Sequence, residues 1–173
     1  MCRVFYTYID NCDSISSKDK RRQSSLAAYK LLSEAAKLCG YDCTELNIIR
    51  SEKGKPYVEN GEFYFSISHC DSFVCVAISQ YEVGIDAQRI GDVSDKVIER
   101  FLKEKPLDDI FNTYLWTDFE AVGKYFGVGI PHCLVLDTNA RITHLKCGEY
   151  CVSVCHNATD ECAWCDNIIL VKE

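Results

Sequence analysis

Two carboxylates and a lysine stand out in the 173-residue chain. In WTDFEAVGK, residues 116–124, Trp116, Glu120 and Lys124 fall at i, i+4 and i+8, which on a helix places them on one face. In GIDAQ, residues 84–88, Asp86 follows an apolar run and is expected at a strand end, where a core-facing segment meets a cleft. One carboxylate from a strand and one from a helix suit a hard cation such as Mg²⁺, which keeps several waters and binds phosphate oxygens. A second apolar run, FSISHC at 65–70, closes on Ser68 and His69, with Lys55 and Pro56 of a GKP loop just upstream. Hydroxyl, imidazole and ammonium together suit a polyphosphate. Taken singly, each has a plainer reading. Glu120 and Lys124 have the spacing of a surface ion pair, Asp86 that of a capping residue, and His69 that of a structural histidine.

The elements that must position these residues follow from periodicity. Residues 3–9 read as a β-strand rich in β-branched and aromatic types. From Asp19 to about Leu38, Leu26, Tyr29, Leu32 with Leu31, and Ala36 recur at helical spacing, with Gly40 as the stop. ELNIIR reads as a strand, KGKP as a loop, and FYFSISH as a strand with Phe63, Phe65 and Ile67 on one face. VCVAI and VGIDAQ are expected to pair as a hairpin around residues 80–82. Helix is expected over VSDKVIERFLKE and from about Asn112 to Phe126, ending near Gly127. The last forty residues resemble short strands with turns at 138–139, at Gly148 and at 157–158. No linker interrupts the series, which implies one α+β unit over 1–173 with two similar halves, about 1–90 and 91–173.

Nearly half of the residues are apolar or aromatic, enough for a sizeable core. With 26 acidic and 19 basic side chains the net charge is -7, which argues against a general nucleic-acid binder or an anionic-membrane binder. No export leader precedes the first strand and no run approaches the roughly 18 apolar residues of a membrane span, so the expected location is the cytoplasm. The twelve cysteines then read as reduced, small buried hydrophobes. A different class of reading is a zinc module on Cys151, Cys155, Cys162 and Cys165 with His156 nearby, although zinc sites ordinarily use paired ligands on tight turns.

In order and separation, GKP at 54–56, FSISHC at 65–70, GIDAQ at 84–88 and WTDFEAVGK at 116–124 resemble the 4'-phosphopantetheinyl transferases of the surfactin-synthetase-activating type. That signature is a GKP loop, an SISHS-like turn, a G-I/V-D-x-E strand end and a W-x-x-K-E-A/S-x-x-K helix. The resemblance runs from the basic helix start near Lys20 through KYFGVGI, and the last thirty residues match only as a strand pattern. It implies two pseudo-twofold-related α+β halves with coenzyme A, the co-substrate, in the cleft between them. The reaction implied is transfer of the phosphopantetheine arm to a serine of an apo acyl or peptidyl carrier protein. Mg²⁺, or Mn²⁺ in its place, would sit on Asp86 and Glu120, with Gln88 adjacent. Glu120 would take the serine proton, and Lys124, His69 and Ser68 would meet phosphate. Lys55 and Pro56 would border the adenine end, and Lys20, Arg21 and Arg22 with Ser24, at the basic start of the first long helix, the 3'-phosphate.

Two departures accompany the match: Gln88 stands where the family has glutamate, and Phe119 where it has lysine. They leave open a catalytically weakened relative that binds coenzyme A or carrier protein. Lys96, Arg100 and Lys103 recur at i, i+4 and i+7, one cationic helix face that with Arg89 is the expected dock for an acidic carrier. Two complementary halves in one chain imply a monomer. Whether the carrier serves fatty acid, polyketide or nonribosomal peptide synthesis is not encoded in these motifs.

Overall fold

The computed structural model describes residues 1–9, 16–43, 46–129 and 139–168. The HCLVL segment assigned to the terminal strands lies outside them. Strands β1 (Cys2–Tyr8), β4 (Tyr64–Cys70), β5 (Phe73–Ser79) and β9 (Cys162–Asn167) form one sheet in the order β4-β5-β1-β9, with β9 parallel to β1 and the other pairs antiparallel. Strands β6 (Val83–Arg89), β7 (Ala140–Cys147) and β8 (Tyr150–Asn157) form a second, antiparallel sheet in the order β6-β8-β7. The short β2 (Ile48–Arg50) and β3 (Pro56–Val58) pair with each other and carry the GKP loop between them. Among the described residues no helix is long and apolar enough to cross a membrane.

Strand alternation builds the layers. Along β5, Val74, Val76 and Ile78 join Phe5, Phe65 and the helix α1 (Ser17–Leu38), while Phe73, Cys75 and Ala77 join Val83, Ile85, Ala87, Val152 and Val154 between the two sheets. The long helix α3 (Asp109–Phe126) covers the outer face of the second sheet through Ala121, Val122 and Cys155. Each sheet therefore carries one long helix on its outer side. The sheets do not follow the division near residue 90, because β6 lies in the second sheet and β9 returns to the first.

Helix α1 starts where Ser16 accepts the Asp19 amide, and it ends at Gly40, with φ +88°. Its buried stripe is Ala27, Ala28, Leu31, Leu32, Ala35 and Ala36, so Leu26 does not belong to the core face but is 57% exposed. The expected hairpin of β5 with β6 does not form. Both edges of β5 are occupied by β1 and β4, so the chain crosses through residues 80–82 and opens the second sheet. The tight hairpin is instead β4–β5, turning at Asp71 in the left-handed region, φ +50°.

After β6 the chain forms a short helical segment, α2 (Asp95–Val97), followed by a wider π-turn over Ile98–Leu102. Lys103 then adopts φ +57° and ends it. The single cationic face drawn through Lys96, Arg100 and Lys103 is thus corrected, because the π-turn changes the angular step and Lys103 lies past the helical end. Helix α3 opens at Asp108, which accepts the Phe111 amide. It closes in paired bonds from Gly127 N to Lys124 O and Val128 N to Gly123 O, a turn that needs the left-handed φ of +64° that Gly127 adopts readily.

Candidate active site

The site forms at a seam between the sheets. Both β4 and β6 are edge strands, and no backbone ladder joins them. Hydroxyls bridge them: Ser66 Oγ accepts from Ile85 N at 3.1 Å and Ser68 Oγ from Ala87 N at 3.2 Å. The alternating serines of SISH are thus buried partners for edge amides that would otherwise lack acceptors.

Asp86 lies in the middle of β6, not at its end, opposite Ser153 of β8 in a pairing that continues to Arg89. Gly84, Asp86 and Gln88 face α3, while Val83, Ile85 and Ala87 enter the core between the sheets. A methyl group at Gly84 would lie 2.0 Å from Ala121 O and 2.5 Å from Tyr125 N, so the bare glycine lets the α3 backbone rest on β6. That approach brings Lys124 Nζ to 2.7 Å from Asp86 Oδ1, with Ser68 Oγ donating to the same oxygen at 2.8 Å and Gln88 Nε2 to Oδ2 at 3.2 Å. Asp86 is 3% exposed, so this buried carboxylate is held by a cation and two neutral donors.

Glu120, one turn before Lys124, is half-buried and takes no hydrogen bond from a described residue. Its carboxyl is pushed up, first by burial and then by the charge of Asp86, against the lowering effect of Lys124. Two carboxylates near enough for the charge of Asp86 to raise Glu120 are a donor set that a divalent cation relieves, and the Gln88 side-chain amide lies on Asp86 beside them. The residues present therefore fit Mg²⁺. His69, near the end of β4 and open to solvent on one side, is held below the ordinary imidazole range first by partial loss of solvent around its ring and then by the charge of Lys124, with Arg21 acting in the same direction.

Helix α1 presents its basic start to this cleft through Arg21, whose charge reaches His69. Arg22 is exposed, and the Ser24 hydroxyl donates to Lys20 O at 3.0 Å within its own helix. Lys55 also has protein partners: its ammonium donates to Tyr125 O at 2.8 Å and pairs with Glu82, tying the GKP loop to the end of α3 and the start of β6. Beside these ties lies a cavity of about 240 Å³ lined by Lys55, Pro56, Phe65, Ser66, Lys124 and Gly127. Phe119 is 4% exposed and packs with Val93 and Ile98, turned away from the cleft. Sequence reasoning missed Ser66 and Gly84, whereas Arg21 belongs to the basic helix start that it set against the 3'-phosphate. Only the i, i+2 spacing of Ser66 and Ser68 in an apolar strand hinted at the first.

The four cysteines of the zinc reading divide between the sheets, Cys151 and Cys155 on β8, Cys162 and Cys165 on β9. Among the described residues no grouping of three metal-ligating side chains includes them. His156 is buried and bonded at both nitrogens, Nδ1 to Asn157 O at 3.0 Å and Nε2 to Thr143 Oγ1 at 2.8 Å.

No family model matches the chain. Over 72 residues, 42% of the chain, it is 39% identical to the 4'-phosphopantetheinyl transferase gsp of Aneurinibacillus migulanus, covering 27% of that protein. Over 132 residues, 70% of the chain, it is 22% identical to the 4'-phosphopantetheinyl transferase of Bacillus subtilis, covering 59% of that protein. The matches thus span less than two thirds of either relative's length. In sequence the chain is thus similar to two 4'-phosphopantetheinyl transferases, with the higher identity to gsp.

Proposed function

We propose that the protein transfers the 4'-phosphopantetheine arm of coenzyme A to a serine of an apo carrier protein, releasing adenosine 3',5'-bisphosphate. The observation that carries this reading is that a strand carboxylate, Asp86, and a helix carboxylate, Glu120, meet in one cleft beside Lys124 and His69. Asp86, Glu120 and the Gln88 amide oxygen would hold Mg²⁺, which when bound supplies charge neutralisation on the pyrophosphate. Phosphoryl transfer depends mostly on positioning and electrostatics, which the rigid β6–α3 contact provides. Glu120, raised and without a hydrogen bond from a described residue, is the base for the serine proton. His69 and Ser68 border the phosphates, Arg22 and Ser24 with their neighbour Arg21 the 3'-phosphate, and Lys55 and Pro56 the adenine end at the cavity beside them. Two pseudo-twofold halves are supported by the one long helix that each sheet carries.

The carrier would dock around Arg89, Lys96, Arg100 and Lys103, where Phe101, 48% exposed and edge-on to Trp116, adds an apolar contact. Of these cations Arg89 already pairs with Glu149, at 2.8 Å. The test is intact mass spectrometry of apo carrier proteins incubated with this protein, coenzyme A and Mg²⁺. One added phosphopantetheine, absent with Asp86→Asn and Glu120→Gln, is expected. Unmodified carriers despite intact coenzyme binding would instead favour the weakened relative.

A further inference from the structure

The CAWC segment at 162–165 has the spacing of a dithiol redox motif, but on a strand an i, i+3 pair points to opposite faces. Strand β9 lies parallel to β1 at the edge of the first sheet, and its two cysteines meet different surroundings. Cys165 lies on the α1 side, where Arg3 reaches both it and Cys39. Cys162 lies on the other side, between the sheets, directly opposite Cys2 in the ladder. The Cys2 amide donates to Glu161 O at 2.8 Å, which fixes this register. Cys2 is fully buried and Cys162 partly open, and the two thiols are side-chain partners. Directly opposed residues on neighbouring strands have Cα atoms about 4.8 Å apart, inside the range that a disulfide spans, with both Cβ atoms on one face. That spacing is shorter than most disulfides adopt, so a bridge there is readily reduced again. The two thiols also differ as an attacking and a resolving thiol must. Cys162 is lowered, because the Cys2 S–H donates to its thiolate, whereas Cys2 is raised first by that same contact and then by burial.

We propose that Cys162 and Cys2 form a reversible thiol–disulfide pair, in which Cys162 reacts with a small-molecule disulfide such as oxidised glutathione and Cys2 resolves the adduct. The Cys162 thiolate attacks one sulfur of the oxidant, the S–S bond of the oxidant breaks, and one glutathione leaves with the proton that Cys162 gave up. The charge that raised Cys2 is then gone, so Cys2 loses its proton more easily. Its sulfur attacks that of Cys162 and expels the second glutathione, which takes that proton. Two protein thiols are thereby oxidised by two electrons, and one glutathione disulfide is reduced to two thiols. The new bond ties β9 to β1 and involves none of the cleft residues, so the proposal does not depend on the transferase reading.

The experiment incubates the native, reduced protein with oxidised glutathione, blocks the remaining thiols with N-ethylmaleimide, and maps the peptides without reduction. A peptide pair linked through Cys2 and Cys162, and released by dithiothreitol, is expected as the main product among the twelve cysteines. The oxidised protein should also unfold at higher urea than the reduced one, because the bond closes a long loop in the unfolded chain. Cys2→Ala is expected to lose the linked pair entirely and to stop at a glutathione adduct on Cys162, with no rise in its urea midpoint. A link between Cys162 and Cys165 overturns the proposal. So does Cys162 recovered from the wild type as its maleimide adduct, whatever the other cysteines have done. Should Cys2→Ala fail to fold, the wild-type peptide map decides alone.

Discussion

The two long helices cover their sheets in different ways. Helix α1 meets the first sheet through alanines and leucines set against Phe5, Phe65 and three β5 side chains, an apolar layer with Ser24 as its one buried polar residue. Helix α3 meets the second sheet through few apolar groups and several polar ones: Thr117 against the Ser153 hydroxyl at 2.7 Å, Ser153 donating to Asp118 at 2.6 Å, and Lys124 on Asp86. Its backbone also sits far closer, over the bare Gly84. Thick apolar packing stabilises a layer without fixing it at short range, whereas close polar packing fixes a few side chains at hydrogen-bond distance. The α1 layer stabilises, and the α3 layer positions.

Substitutions test that contrast. The largest effect is expected of Gly84→Ala, whose methyl has only α3 backbone to displace; a loss above about 4 kcal/mol in urea unfolding, together with lost metal binding, follows from overpacking against atoms that cannot rotate away. A loss under about 1 kcal/mol would remove the case for close approach. Next, Phe119→Lys is expected to cost roughly 3–5 kcal/mol, from the emptied cluster with Val93 and Ile98 and from a charge left without a partner. A variant as stable as wild type and faster in carrier modification would return position 119 to the catalytic cleft. On the α1 side, Leu32→Ala should lose about 3 kcal/mol of stability while coenzyme and Mn²⁺ affinities remain unchanged.

The smallest effect separates two histidines by sign. His144 Nε2 donates to Asp118 Oδ1 at 2.7 Å, and this bond raises its imidazole. Its stabilisation is complete below the unfolded value near 6.5 and fades as pH rises through the folded value. His156, buried and neutral, is lowered, mainly by burial. Its stabilisation is complete above about 6.5 and fades as pH falls through the folded value. Urea midpoints between about pH 5.5 and 8 should therefore fall more steeply on acidification in His144→Gln and less steeply in His156→Gln. Parallel slopes in both variants would contradict these assignments.

Much of this was legible in the residues, for reasons that differ by element. The 3.6-residue period of α1 and α3 and the glycines at 40 and 127 announce helices and their stops, because capping is local. The strands were readable one at a time, yet β6 joins β8 and not β5. That choice depends on which edges are already occupied, a property of the whole sheet. Asp86 and Glu120 were readable as a pair through the ordered motifs. That Ser66 satisfies an amide, that Phe119 points into a small core, and that Lys124 reaches Asp86 depend on contacts between segments distant in sequence, which no local pattern carries.

The most direct test of the cleft is calorimetric titration of coenzyme A into wild-type protein and into Glu120→Gln, with and without Mg²⁺. Tighter coenzyme binding with Mg²⁺ in the wild type, and no effect of Mg²⁺ in the variant, is the result predicted by the proposal that the strand and helix carboxylates hold one cation together. Coenzyme affinity that ignores Mg²⁺ in the wild type, or an undiminished Mg²⁺ effect in the variant, would contradict the account.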